Sequence, residues 1–513
     1  MNRTLARINL VPIAGAALMA VAMALPWTPA ALGIQLGILP LGALVFGLVA
    51  AALAVFLGMD PARIPTGWVL VGLAGALAVG CILLSISFDV MGGGKFAVDR
   101  LGLGVWTTLI GCALLIGSAF QLLRAHDLAA GREPPQGLRA AAGWYAQRHR
   151  SLVVVLGMAF VTALLPLLVL IPPFNAMLPQ NPWLGAFSSA GVFVLLALGL
   201  NIVVGLAGLL DLGYAAFFAI GAYTYAYGAS PFSGNEFPFV LMIVVAALVA
   251  ATFGLLLGAP TLRLRGDYLA IVTLGFGEIV PIVFRNAEEY TNGTNGIGGL
   301  YKPEFAGYEF GLLNPWPFYV LMAVILTLTL VLIYRLEGSR LGRAWMAIRE
   351  DELAAASNGI NTVTTKLLAF ALGASTAGFA GVFNAAKLTV VDPDQFLFTV
   401  SFTVLAMVVL GGMGNIWGVA VGAFVIAIIQ SVVLTQMNTF MENLGIPILK
   451  DIDFVQYQFL LYGLALVFMM LLRPEGLFPS RRRKEELHVA EDPSIGGEGL
   501  DAEVTGAMGE PPR

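Results

Sequence analysis

The chain has 513 residues, 58% of them hydrophobic and only 11% charged, with a net charge of −4. Soluble domains carry roughly a quarter charged residues, so this composition excludes a soluble protein and points to many membrane spans. The charge balance offers nothing to a nucleic acid, and Cys81 and Cys112, in separate apolar runs, form neither a disulfide framework nor a metal-ligand spacing.

A bilayer core of about 30 Å takes roughly 20 apolar residues per helix. Fourteen apolar segments are legible, near 9–25, 34–57, 68–88, 103–123, 152–171, 183–206, 214–227, 237–257, 268–284, 316–334, 367–386, 396–410, 416–434 and 457–472. The shorter ones suit half-helices. The first follows Arg3 and Arg7 and ends in a weak cleavage-site pattern; with so many spans after it, a retained first helix is expected. The expected fold is an all-α polytopic membrane protein. A four-helix N-terminal extension (1–125) and a linker (126–150) precede a ten-span core (151–480). A basic anchor and a disordered tail (481–513) follow. With the N-terminus inside, all of the 27 Lys and Arg residues except Lys95, Arg100, Arg285, Lys302, Lys387 and Lys450 fall on the inner side. The positive-inside rule favours that orientation, which puts both termini in the cytoplasm.

The run Gly208-Leu-Leu-Asp211-Leu-Gly213 interrupts apolar sequence where membrane depth is expected. A broken helix there must be buried or line a cavity. Asp211 fits a capping role at the half-helix beyond it, or a contact with a transported solute. Glu278 is the clearest ionisable residue inside an apolar run; it fits a translocation-path residue or a carboxyl hydrogen-bonded within the bundle. The Gly-rich stretch 292–299 lacks the Gly-Lys-Ser/Thr ending of a phosphate cradle, and no nucleotide site or other cofactor is expected.

The polar stretch 337–366 lies between two apolar runs, with Leu341, Trp345 and Ile348 at helical spacing. It predicts an amphipathic surface helix that stops at Asn358-Gly359, shaped to dock a soluble partner. Small residues recur every four positions at Ala369, Gly373, Ala377 and Gly381, and again at Gly414, Gly418 and Gly422, as close helix packing requires. The sequence presents no catalytic triad, His-Glu-x-x-His or paired carboxylates, and its histidines (His126, His149, His488) fall in loops or tail. A transport subunit is expected rather than an enzyme.

Several stretches together resemble the LivM family of branched-chain amino acid permeases from bacterial ABC importers. They are Gly208–Tyr223, Gly266–Ile279, Asn292–Gly299, Gly342–Ala355, Leu410–Gly418 and Arg473–Phe478. The N-terminal part is similar, more weakly, to the extension many members carry. The resemblance implies a ten-span permease core in a bacterial inner membrane, with alternating access driven by separate subunits. Its implied partners are a LivH-like second permease, two ABC ATPase subunits and a periplasmic substrate-binding protein that delivers leucine, isoleucine or valine. It also implies that the 335–366 loop couples to the ATPase through Trp345, Ile348, Arg349, Glu350, Glu352, Ala354, Ala355 and Gly359. Ala354, Ala355 and Gly359 fall on the Glu-Ala-Ala-x-x-x-Gly spacing of such loops, whereas Leu353 stands at the Glu position. Alternatives are a urea or short-amide ABC permease and an ion-coupled secondary transporter. The second is disfavoured by the scarcity of intramembrane ionisable groups.

Overall fold

The computed structural model describes residues 180–261, 267–305, 308–310, 315–436 and 457–473, with a few isolated positions besides. The N-terminal extension, the linker, most of the 152–171 segment, the tail, both cysteines and the three histidines lie outside the described residues.

Helix α1 (Gln180–Leu200) runs on into a π-helical turn, Asn201–Leu206, and is followed by α2 (Ala215–Gly228), α3 (Phe239–Thr261), α4 (Asp267–Asn286) and α5 (Trp316–Glu337). Two short polar helices, α6 (Arg340–Glu350) and α7 (Glu352–Ser357), lead to α8 (Thr362–Leu388), α9 (Phe398–Gly411), α10 (Ile416–Ile428, extended by a π turn) and α11 (Gln458–Leu472). Every apolar segment expected from residue 183 onward coincides with a described helix. Seven are long and apolar enough to cross a membrane, α9 reaching that length with the 3-10 turn before it. The chain is a multi-pass membrane protein.

Small residues set the packing. Helices α1 and α8 are antiparallel, since Lys387 Nζ reaches Gly185 O at 2.8 Å at one end and Gly373 lies against Gly199 further along. Helix α2 starts beside the middle of α8, where Tyr214 Oη donates to Gly373 O at 2.8 Å, and crosses it closely, with Gly221 against Gly378 and Gly381 against the Phe218 carbonyl. A Cβ on Gly221 would sit 2.6 Å from the Gly378 backbone, and one on Gly381 2.4 Å from Phe218 O, so side chains are excluded at this crossing. The small-residue stripe on α8 is therefore a packing face. Of the second stripe, Gly418 and Gly422 pack α10 on Gly411, but Gly414 sits in the turn before α10 at φ +83°.

The break expected around Asp211 occurs twice. After α1, residues 207–214 return irregularly to α2; after α8, residues 389–397 return to α9. Both α2 and α9 have 14 residues, about 21 Å, too short for a bilayer on their own. Each return carries an aspartate closing the same local turn: Asp211 Oδ1 accepts from Gly213 N at 2.9 Å, and Asp392 Oδ1 from Asp394 N at 3.0 Å. Ala215 N at the start of α2 donates to Ser401 Oγ in the first turn of α9 at 2.9 Å. Phe396, before α9, packs on Phe218 and Tyr223 along α2. The two short helices thus start side by side inside the bundle and run in opposite directions.

Small two-residue ladders tie the loops at the end opposite α6 and α7. Ile297–Gly298 pairs antiparallel with Val390–Val391, fixing the Gly-rich 292–299 stretch against the second return. Asn292, at φ 59°, and Gly296, at φ 67°, supply the left-handed turns that this requires.

Candidate functional site

The polar loop expected to form one amphipathic helix forms two. Ser339 opens α6, its Oγ accepting from Gly342 N at 3.3 Å. At Asp351 the backbone becomes extended (φ −153°, ψ 111°), and its Oδ1 accepts from Leu353 N at 2.8 Å and Ala354 N at 3.0 Å. A side chain that caps the next helix ends the previous one, so the helix splits there. The stop at Asn358-Gly359 is as expected. Gly359 takes φ +82°, its N–H reaching Ala356 O at 3.0 Å while Ile360 N reaches Ala355 O at 3.1 Å. Asn361 then caps α8 through Thr364 N at 3.1 Å.

The apolar face anchors this pair of helices. Trp345 is fully buried and its indole N–H donates to Thr365 O at 2.6 Å; Ile348 and Ala355 are also buried. Glu352 pairs with Lys366 at 2.6 Å, pinning α7 to the first turns of α8. Trp345, Ile348 and Ala355 therefore hold the element to the bundle. Leu353, 68% exposed, with Glu350, Ala354, Ala356 and Ser357 forms the open side.

Arg349 reaches furthest. Its Nη1 donates to Gly205 O, in the π turn at the end of α1, at 2.5 Å. Its stem lies over Gly208, where a Cβ would come within 2.7 Å of Arg349 Cγ. Gly414, in the turn between α9 and α10, lies against the same guanidinium, and its N–H donates to Asn201 Oδ1 at 2.9 Å. A Cβ on Gly205 would sit 2.0 Å from Asn201 Oδ1. One arginine thus joins α6 to the end of α1 and to the α9–α10 turn. π turns often mark functional sites, since the extra residue widens the helix locally.

Asp211 is 1% exposed, and its Oδ2 has no hydrogen-bond partner among the described residues. It lies against α4: Leu212 N donates to Thr273 Oγ1 at 3.0 Å, and Gly213 is so tight on Thr273 O that a Cβ would sit at 1.9 Å. Its bond to Gly213 N closes the turn ahead of α2 rather than capping the first helical residue. Glu278, further along α4, is exposed on the helix surface. Sequence reasoning placed Arg349 in the loop and Gly414 in a packing stripe, but missed their junction with Asn201 and Gly205. The signal there was a polar Asn201 after a long apolar run.

Residues 183–471 match the family described as branched-chain amino acid transport system, permease component. The chain belongs to this family. It is 41% identical over 322 residues to LivM of Escherichia coli (strain K12), a high-affinity branched-chain amino acid transport system permease protein, covering 58% of this chain and 70% of that one. The permease is 25% identical over 325 residues to a probable LivM of Methanocaldococcus jannaschii, covering 57% and 91%. It is 23% identical over 299 residues to LivH of Escherichia coli (strain K12), covering 56% and 90%. No solved structure matches.

The open side of α6 and α7 depends on Gly359. Gly359→Pro removes the N–H bonded to Ala356 O and forces φ to about −65°, away from the observed +82°. The expected result is a loosened loop, read as several-fold faster tryptic cleavage within 340–366 in membranes, with unchanged insertion. Cleavage at the native rate would show that Gly359 does not hold the turn.

Proposed function

We propose that this permease is the membrane-spanning subunit of an ATP-driven importer of leucine, isoleucine and valine in a bacterial inner membrane. It works with a second, LivH-like permease, two ABC ATPase subunits and a periplasmic binding protein. The observation that carries this reading, beside family membership, is the α6–α7 element. It is a polar pair of helices anchored by Trp345, open along Leu353, Ala354 and Ala356, and tied through Arg349 to the interior. In this reading the loop is cytoplasmic and its open side seats on an ATPase. When ATP draws the two ATPases together, α6 moves as a lever. Arg349 passes that movement to the π turn of α1 and to the α9–α10 turn. The spans then shift between outward- and inward-facing populations, because each state makes different contacts. A ten-span core, to which the seven span-length helices would belong, and a four-span extension complete the proposed topology. The subunit performs no chemistry.

Labelled leucine uptake by cells lacking the chain, with and without its restoration, tests this reading. Excess isoleucine and valine are expected to block the restored uptake, urea and ribose to leave it unchanged, and inactivation of the partner ATPase to abolish it. Uptake that survives ATPase loss and collapses with the proton gradient would instead indicate a secondary transporter. Block by urea alone would move the cargo to small amides.

A further inference from the structure

Helix α4 carries an ionisable residue on an exposed face. Ile271, Gly275, Glu278, Ile282 and Arg285 recur along it at spacings of three and four, and Glu278 falls near its middle, exposed on the surface of the bundle. An ionised carboxylate against hydrocarbon is strongly disfavoured, so it must meet water or a cation. Among the described residues no hydrogen bond or ion pair reaches Glu278. The cation on its own face is already engaged, since Arg285 pairs with Asp394 in the turn ahead of α9. Lys387 is likewise engaged, with Gly185 O and Ser189 Oγ. One turn before Glu278, a Cβ added to Gly275 would meet no atom within 4 Å, so open space lies beside the carboxylate. The same helix abuts the break before α2 on its other side, through Thr273 and Gly277 against Gly213. Glu278 therefore sits beside open space at mid-depth, on a helix packed against the part of the bundle least like a continuous span.

We infer that Glu278 receives the ammonium group of the transported amino acid at mid-membrane, on an α4 face that lines the translocation path. This rests on the reading of the chain as an amino acid permease, and names which end of the zwitterion it handles. A carboxylate in a low-dielectric passage gives a charge-assisted hydrogen bond to a primary ammonium, while the open space at Gly275 sets no side-chain preference. Discrimination among leucine, isoleucine and valine then falls to whatever delivers them, and Glu278 rejects solutes that lack an amine.

The test uses the whole complex, purified with its partner subunits and reconstituted in liposomes. ATP is enclosed, and the binding protein and labelled leucine are supplied at the periplasmic face. Glu278→Gln keeps the shape and removes the charge, so assembly is expected to be retained. Leucine carried per ATP hydrolysed is expected to fall roughly ten- to a hundred-fold, the loss of one hydrogen bond to a charged group. Glu278→Asp is expected to recover much of it, and ATP hydrolysis itself to stay near wild type in both. Unchanged transport per ATP in Glu278→Gln would overturn the inference. A lower yield of complex with normal transport per assembled complex would also overturn it, by making Glu278 an ion-pair partner of the neighbouring permease. If the wild-type complex carries no leucine at all, the cargo reading fails first and the inference falls with it.

Discussion

Replacing Arg349 by Ala is expected to leave the importer assembled and hydrolysing ATP while leucine uptake falls at least ten-fold. The side chain donates Nη1 to Gly205 O across the junction and packs its stem on Gly208. A hydrogen bond from a charged donor contributes about 1.5–3 kcal/mol, and partial exposure of Arg349 places this one toward the lower end. That loss is small for a chain of this size, so folding should survive it. For a lever the same loss is large, because Arg349 ties α6 directly to the π turn and lies against the α9–α10 turn. Arg349→Lys should recover only part of the coupling, since an ammonium on a flexible stem cannot reproduce the planar guanidinium lying between Gly205 and Gly414. The ratio of uptake to ATP hydrolysis in liposomes reads this out. A normal ratio in Arg349→Ala would remove the arginine from the coupling route and leave only the anchoring contacts of Trp345 and Ile348.

Gly221→Leu is expected to have the opposite signature, a chain that inserts but does not assemble. Its Cβ would meet the Gly378 backbone at 2.6 Å, and backbone, unlike the tip of a flexible side chain, cannot step aside. Gly378 has no slack either, its own Cβ position lying 2.9 Å from Ala246 O and 3.0 Å from Ala250 Cβ. Helices α2, α3 and α8 must all separate to admit the leucine. Overpacking typically costs about 1–3 kcal/mol, and a clash with backbone on this scale exceeds that range. Yield of intact complex in mild detergent should drop to a small fraction of wild type, with Gly221→Ala intermediate. A normal yield for the leucine variant would mean that the three helices are not held in contact as described.

Much of this was legible in the sequence, for a physical reason. Apolar runs report membrane depth directly, so the segments from residue 183 onward fell on helices. The glycines of α8 announced a close crossing because only small residues permit one. Asp211 among glycines announced a break. Three features were not legible. The split at Asp351 depends on a side chain turning to cap Leu353 and Ala354, in competition with a helix that the residues would also support. The second return, 389–397, lacks the glycines that flagged the first, and its kinship appears only when Ser401 meets Ala215. The Arg349 junction joins residues 144 apart in sequence, and neither Gly205 nor Gly414 advertises a partner. Local pattern reports local conformation, whereas this junction exists only once α1, α6, α9 and α10 have come together.

Helix α2 also bears on how the chain is built. It is buried on nearly every side and too short to span, and its main neighbour, α8, begins about 130 residues later. At 5–20 residues per second, α2 leaves the ribosome roughly 7–26 s before the helix that will hold it exists. Until then its glycine face has nothing to close on, and the 207–214 return has no protein to shelter its backbone from lipid. Biogenesis therefore has an obligatory waiting state, with α1 and α3 threaded and α2 parked at the interface or in the insertion machinery. Its seating becomes a late event triggered by the arrival of α8.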